Sequence, residues 1–370
     1  MSTRLLALVV ATLLLSACAD WNTGRASSVL DAHVVRVVSQ GTRATGQPGL
    51  QPGLPGQPYQ VLELQLDGGL YRGDRVTLEW GGQNALNANG LLVAGDRVLV
   101  SQRRGDGDSR QYAIEEIVRL PSLLPFGVVL VVSLVAVARW KGLASLAGLA
   151  GSIAVFLFAI VPAVQRGEDP LAATLAGAIA VLGVTVFVVH GLNRKSLAAL
   201  VGTATCLLLV VLLAAVTLAV AHVTGLGSEE NLFLAVGSGG RIDLHRLVLA
   251  GIVVGSLGAL VDMGIGQASA TFELAASHEE MRGARLYASA LNVGRDHIGS
   301  LINTLALAYF GGSMPLIVLL SLGNLPLSMS VNSETIVGSI IAVLVASIGL
   351  VLCVPITTAV AVALVDRKPA

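Results

Sequence analysis

One stretch of the chain, Leu247 to Phe310, combines acids, amides and arginines with apolar runs long enough to cross a bilayer. A charged side chain near the middle of a membrane helix costs about 2.5 to 3.5 kcal/mol on insertion scales. Such a group therefore usually faces a protein partner or a water-filled cavity. The polar residues of this stretch are the first candidates for proton or ion chemistry.

Small and acidic residues form one face of the first half of this stretch. They recur at steps of three or four residues, which places them on one side of an α-helix. The face consists of Gly251, Gly255, Gly258, Asp262, Gly266, Ser269 and Glu273. Because most of these residues have little or no side chain, the pattern predicts that another helix packs closely against this face.

A second polar stripe follows in the returning half of the stretch. Asn292, Asp296, Gly299 and Asn303 recur at steps of four, three and four, and Thr304 lies beside them. We expect the two segments to form antiparallel helices whose polar faces meet. The stripe would then enter the membrane from the cytoplasmic side.

In such a pair, Asp262 lies level with Asn303 and Thr304, and Glu273 lies near Arg295. We predict that Asp262 is the functional acid, because a carboxyl group in a low-dielectric setting is suited to proton exchange. We predict a structural ion pair between Glu273 and Arg295. For Asn303 and Thr304, helix packing through interhelical hydrogen bonds is the alternative interpretation.

The composition is that of a polytopic membrane protein, since 54% of the 370 residues are hydrophobic and only 12% are charged. The 23 basic and 23 acidic residues balance. No basic patch alternates with aromatic residues, which argues against a nucleic-acid partner. The expected partners are the lipid bilayer and a small solute or ion, and the oligomeric state stays open.

Residues 121–370 are predicted to form a seven-helix transmembrane domain. The apolar runs are Leu123 to Ala138, Leu143 to Val164, Leu171 to Leu192, Leu197 to Val223, Leu247 to Ala270, Ile298 to Leu322 and Ile336 to Val365. Basic residues concentrate in alternate connectors and in the C-terminal tail, which the positive-inside rule assigns to the cytoplasm. The predicted location is the bacterial cytoplasmic membrane.

The first 18 residues resemble a bacterial lipoprotein signal. Arg4 precedes an apolar run from Leu5 to Leu15, and the tetrad Leu15-Ser16-Ala17-Cys18 would make Cys18 the lipidated residue. The alternative is an uncleaved signal anchor that leaves Cys18 unmodified. Both interpretations export residues 19–120.

Residues 19–120 are predicted to be a small extracytoplasmic β-rich domain. Short alternating segments are separated by glycine turns, and two Gly-Asp turns, Gly73-Asp74 and Gly95-Asp96, each lead into a β-branched run. Residues 46–58 are too rich in proline and glycine for regular structure and are predicted to be a loop.

Enzymatic motifs are missing from the sequence. It contains no Gly-x-Ser-x-Gly elbow, His-Glu-x-x-His pair, Walker loop or dinucleotide fingerprint. The histidines lack metal-ligand spacing. We therefore expect no enzyme activity, no cofactor and no metal site.

Several motifs together resemble the YibE/F family of bacterial multi-pass membrane proteins. The resemblance rests on Gly258-Ala259-Leu260-Val261-Asp262, on residues 292–299 (Asn-Val-Gly-Arg-Asp-His-Ile-Gly) and on residues 303–309 (Asn-Thr-Leu-Ala-Leu-Ala-Tyr). Trp140-Lys141-Gly142 and Val354-Pro355-Ile356-Thr357-Thr358 support it. The resemblance implies the multi-pass fold and assigns no activity.

Two functions are consistent with these patterns. The first is a permease or transporter of a small solute or ion, with Asp262 as the proton or cation site and Asp296 as a cytoplasmic gate. The second is a non-catalytic membrane scaffold or sensor that acts through the exported β-domain.

Overall fold

The computed structural model describes residues 28–43, 57–69, 71–81, 90–104, 110–278, 280–323 and 326–366. The lipidation candidate Cys18 and most of the loop 46–58 lie outside these residues. The described residues divide into two compact units on either side of a boundary between Ala136 and Val137.

The N-terminal unit is built on a five-stranded antiparallel sheet that curves into a half-barrel. Its strands are β1 (Ser28–Arg43), β2 (Gln57–Leu66), β3 (Arg75–Trp80), β4 (Arg97–Arg104) and β5 (Arg110–Ile117), in the order β3-β2-β1-β4-β5. The long strand β1 occupies the centre of the sheet. Two register shifts along its pairing with β2 mark irregularities of the kind that bend a strand.

Alternating apolar residues of these strands form the core of the sheet. Leu62, Leu64 and Leu66 of β2 are fully buried, as are Val98 and Val100 of β4. This period of two is the pattern that the sequence shows. The interior positions of the two strands therefore pack on one face, and polar residues such as Glu63 occupy the other.

The two predicted Gly-Asp turns are present and lead directly into strands. Gly73 and Gly95 both have φ of 97°, a conformation that favours glycine because a Cβ atom would be strained there. The strand β3 begins at Arg75 and β4 at Arg97, two residues after each glycine.

From Leu120 onward the described residues are mainly helical. The helices are α1 (Leu120–Val155), which continues through a π-helical turn (Phe156–Ile160) into α2 (Val161–Gln165), then α3 (Pro170–His190), α4 (Arg194–Val220), α5 (Glu229–Ser238), α6 (Leu244–Ser277), α7 (Gly283–Gly312), α8 (Met314–Leu322), α9 (Leu327–Val331) and α10 (Glu334–Asp366). Side-chain caps define several starts, because Asp169, Asn193, Ser228 and Asp243 each accept backbone N–H bonds at a helix N-terminus.

Six helical segments among the described residues are long and apolar enough to cross a membrane, or up to seven if one bent pair counts as a span. The first two predicted spans are separated by a break in α1 at Arg139, where φ is 53°, and the second continues through the π-helical turn into α2. The predicted span from Ile298 to Leu322 is the bent pair, since α7 and α8 meet at 57°. This count is consistent with a multi-pass membrane protein.

Three long helices, α4, α6 and α10, form the centre of the helical unit, with α3 and α7 packed beside them. Leucines fill the centre, among them Leu182, Leu218, Leu260 and Leu350, all fully buried. Several close helix approaches occur at glycines. A Cβ added to Gly202 of α4 would lie 2.9 Å from the Cα atom of Thr357 in α10, so these two backbones are nearly in contact.

Candidate functional site

The helix α6 places Asp262 on an exposed face near its midpoint. The residues Gly251, Gly255, Gly258, Asp262, Gly266 and Glu273 are all exposed, and Ser269 is half-buried. A Cβ added to Gly251, Gly258 or Gly266 would meet nothing within 4 Å. The close helix approach that the small residues predict is therefore not made at these three glycines by any described part of the chain.

The flanks of this α6 face are defined by two neighbouring helices. On one side, the hydroxyl group of Tyr309 in α7 contacts the backbone at Gly255. On the other side, Val186 of α3 lines a small cleft together with Ile265 and Ser269. We call this exposed strip of α6, which lies between the two contacts and carries Asp262, the α6 groove.

No other described side chain forms a hydrogen bond or an ion pair with Asp262. The predicted neighbours Asn303 and Thr304 are exposed on α7 and form no hydrogen bond with Asp262. Thr304 donates its hydroxyl hydrogen to the Ser300 carbonyl oxygen of its own helix, at 2.9 Å. The structure does not bring the amide and the hydroxyl group to the acid.

The polar stripe of α7 points away from the helical unit. Gly294 and Leu305 are buried in the contact with the other helices, whereas Asn292, Asp296 and Asn303 are exposed. Asn303 follows Gly294 by nine residues, which at about 100° per residue places it on the opposite side of the helix. The structure therefore does not bring the two polar faces together within one copy of the chain.

The antiparallel arrangement of α6 and α7 is visible in two contacts. The side chain of Gln267 in α6 lies against the backbone at Gly294 in α7, and the backbone at Gly255 in α6 lies against the side chain of Tyr309 in α7. These contacts set Asp262 at about the level of Ser300 and Leu301, roughly one helical turn from the predicted level. A shift of about one turn brings different residues of α7 opposite a given residue of α6. The depth of a residue along its helix therefore did not by itself predict which side chains meet.

The predicted ion pair between Glu273 and Arg295 does not form in the structure. Arg295 instead donates to the side-chain oxygen of Asn292, one turn earlier on α7, at 2.9 Å. Both partners of the predicted pair are exposed. The reason is again rotational, because Arg295 follows the buried Gly294 by one residue and projects sideways from the packed face.

The polar side chains that the helices do bring together centre on Gln267, which the sequence analysis missed. This side chain is 2% exposed and donates to the Ala290 carbonyl oxygen of α7 at 2.8 Å and to the Thr358 hydroxyl oxygen of α10 at 2.7 Å. It therefore joins α6, α7 and α10. An amide inside an apolar run, on the face opposite the glycines, was the signal available in the sequence.

Further small polar groups surround this junction. Thr203, Thr271, Thr357 and Thr358 are buried, and the Thr271 hydroxyl group donates to the Gln267 carbonyl oxygen at 2.8 Å. The hydroxyl groups of Thr203, Thr271 and Thr358 donate to nearby carbonyl oxygens, which is the usual way for threonine to enter an apolar helix, and that of Thr357 lies 3.5 Å from the Cys353 sulfur. The buried polar centre is therefore structural in its contacts.

A separate apolar cavity of about 500 Å³ lies where α7, α8, α9 and α10 meet. Its wall contains Tyr309 and four serines, Ser313, Ser321, Ser330 and Ser339, and the other lining residues are apolar or glycine. None of the lining side chains is charged. The described part of the chain also contains no group of three or more His, Cys, Asp or Glu residues that could hold a metal ion.

Comparison with known proteins identifies one family. A family model described as YibE/F-like protein matches residues 126–367, most of the chain and nearly the whole helical unit. Neither the curated proteins nor the solved structures contain a match. The matched region includes the α6 groove, the α7 stripe and the Gln267 junction. The chain belongs to the YibE/F-like family.

Proposed function

We propose that the protein is a permease or transporter of a small solute or ion in the bacterial cytoplasmic membrane, and that Asp262 is its proton- or cation-exchanging group. The observation that supports this proposal is the position of Asp262. An acid without a partner among the described residues lies near the middle of a helix that is apolar and long enough to span a bilayer.

The physical argument starts from the cost of that position. A carboxylate near the bilayer centre is expensive, and such groups generally mark ion pathways or proton relays. Packing alone does not require it, because glycines and amides hold membrane helices together without charge. Retaining an acid here is best explained by exchange of a proton or a cation.

The groove around Asp262 supplies room for a path. Gly258 and Gly266 lie one turn before and one turn after the acid, and neither has an atom within 4 Å of its Cβ position. A strip without side chains leaves space for water or a small solute beside the carboxyl group. Asp296 has no part in this path, because α7 turns it away from the groove.

The proposed orientation follows the charge distribution. Basic connectors and the C-terminal tail face the cytoplasm, and residues 19–120 are extracytoplasmic. In this arrangement the N-terminal segment acts as a signal or anchor, and Cys18 is its lipidation candidate.

Reactivity toward dicyclohexylcarbodiimide tests the acid without knowledge of the solute. This reagent modifies protonated carboxyl groups in apolar surroundings, so we expect Asp262 to be labelled in membrane vesicles, less so as the pH rises. Asp262→Asn should remove the label. Glu273→Gln is the matched control, because it removes an exposed acid of the same helix face and should leave the labelling of Asp262 unchanged.

Flux measurements then connect the acid to transport. Proteoliposomes on a solid-supported membrane are challenged with jumps of pH, monovalent and divalent cations, and neutral solutes. For any species that the native protein moves, Asp262→Asn should abolish movement, and Asp262→Glu should retain part of it. Undiminished flux in a correctly inserted Asp262→Asn protein would remove this residue from the mechanism.

A scaffold or sensor acting through the β-sheet unit is the second candidate. It is favoured by one observation: the sheet encloses its own apolar core, with Leu62, Leu64, Val98 and Val100 buried. Deleting residues 28–118 should destroy function under this proposal, whereas Asp262→Asn should leave function intact. The transport proposal predicts the opposite ranking.

A further inference from the structure

The exposed polar stripe of α7 needs a partner if this helix crosses a bilayer, as the proposed function requires. Asn303 lies within the apolar run from Ile298 to Phe310, and neither it nor Asp296 has a hydrogen-bond partner within the described residues. Amide and acid groups facing acyl chains would lose their hydration without replacement. The stripe therefore indicates a protein surface that another protein covers.

We propose that a second copy of this chain covers the stripe, with the two α7 helices packed in parallel about a two-fold axis normal to the membrane. A two-fold interface places each residue near its own counterpart. The stripe then has to be complementary to itself. The amide, the glycine and the acid of the stripe each meet that requirement, the acid together with the neighbouring arginine.

Asn303 is self-complementary because its amide both donates and accepts hydrogen bonds. Two such amides at the same depth can bond to each other across the axis, as single asparagines do in parallel coiled coils. Gly299 lies one turn before Asn303, and its Cβ position has no atom within 4 Å. It therefore allows the two backbones to approach closely at the crossing point.

Charge complementarity is available at the cytoplasmic end of the stripe. Asp296 lies on the exposed face, and Arg295 projects from its flank. In a parallel two-fold pair, the flank of one helix meets the facing residues of the other, so Arg295 of each copy can approach Asp296 of the other copy. Arg295 uses one nitrogen for Asn292, and its guanidinium group has further N–H donors.

The other helices of this chain are poorer partners for the stripe. The apolar segment Leu120–Trp140, for example, offers no amide or carboxyl group and only Ser133 near its middle. A hydroxyl group cannot match an amide, an acid and a glycine at the same time. A second α7 supplies each counterpart at the required spacing.

Cysteine cross-linking in membrane vesicles tests the interface directly. Asn303→Cys and Gly299→Cys should each give a disulfide-linked dimer on oxidation with copper phenanthroline, because counterparts at a two-fold crossing come within about 7 Å between Cα atoms. Leu208→Cys on α4 is the matched control, being exposed on another apolar helix face. It should give no more dimer than the native chain with its three cysteines.

Association in lipid gives the second measurement. Asn303→Leu should weaken dimerisation in proteoliposomes by roughly 3- to 20-fold, as expected for the loss of one interhelical hydrogen bond, measured by single-molecule photobleaching. Asp262→Asn should dimerise like the native chain, so this test can fail or succeed independently of the transport proposal.

Three outcomes would overturn the inference. The first is a monomer in lipid without cross-links at positions 299 and 303. The second is a dimer that cross-links at position 208 and not at position 303. The third is a cross-link from position 303 to a protein of another mass while the purified chain remains monomeric, which would show that a different partner covers the stripe.

Discussion

Replacing Gly202 with alanine tests which glycines hold the helical unit together. Gly202 lies on α4 against α10, and an added Cβ would be 2.9 Å from the Thr357 Cα atom. Carbon atoms pack favourably at about 3.5 to 4.0 Å, so the two helices would have to separate by roughly 0.5 to 1 Å. The Thr357 hydroxyl oxygen and Cβ atom also obstruct the added group, but the Cα atom belongs to the backbone and cannot rotate away.

The expected magnitude combines two opposing effects. Overpacking a close contact costs about 1 to 3 kcal/mol. Alanine also improves helix propensity over glycine by about 1 kcal/mol. Gly202→Ala should therefore change the free energy of unfolding by between about zero and 2 kcal/mol, in the destabilising direction.

Gly183→Ala on α3 is the matched control. Gly183 lies inside a helix of the same unit, and its Cβ position has no atom within 4 Å. The free energy of unfolding of this variant should rise by about 1 kcal/mol, from the higher helix propensity of alanine alone. The two variants should then differ by about 1 to 3 kcal/mol, measured by steric trapping or by thermal unfolding in one detergent. Equal stabilities would refute the assigned contact between α4 and α10.

Two further predictions concern the Gln267 junction and the sheet. Gln267→Leu should lower the free energy of unfolding of the helical unit by about 1 to 3 kcal/mol, because it removes two interhelical hydrogen bonds of about 0.6 to 1.7 kcal/mol each. Gly266→Ala is the control. Its Cβ position is open, so it should not destabilise the unit in the same unfolding assay. In the sheet, hydrogen bonds from Arg36, and then from Arg75, lower the pKa of Glu63. A carboxyl group with a lower pKa in the folded state stabilises above its unfolded pKa and loses this contribution as the pH falls through the folded value. Urea unfolding of residues 28–118 can be followed by the fluorescence of Trp80. Below about pH 5, the free energy of unfolding should fall more steeply for the native sequence than for Glu63→Gln. Parallel pH profiles for the two proteins would contradict the ion pairs assigned to Glu63.

Periodicity in the sequence predicted the strands and helices well, but it predicted poorly which helix faces contact each other. The alternation of β2 and β4, and the turns at Gly73 and Gly95, follow from local rules, and the structure has strands where those rules place them. The apolar runs likewise correspond to helices. A helical pattern determines which residues share a face, whereas the facing element depends on how the whole unit packs.

The two sets of small residues on α6 show why the candidate site could not be assigned fully. Gly264 is buried against Thr203 of α4, whereas Gly258, six residues earlier, is open. In the sequence both are glycines in an apolar run. Only the surrounding helices decide which one supports packing, and that information is spread over α4 and α10.

The polar residues of the helical unit fall into two sets whose energetic meaning depends on the surrounding solvent. Gln267 donates to Thr358 and to the Ala290 carbonyl oxygen inside the protein, so its contribution is similar in water and in lipid. Asp262 and Asn303 are exposed without partners among the described residues, which costs little in water and several kcal/mol in hydrocarbon. A chain with six or seven apolar helices cannot leave both groups against acyl chains. We propose water in the α6 groove and a second α7 as two separate solutions to that single problem, and each can be tested by its own substitution.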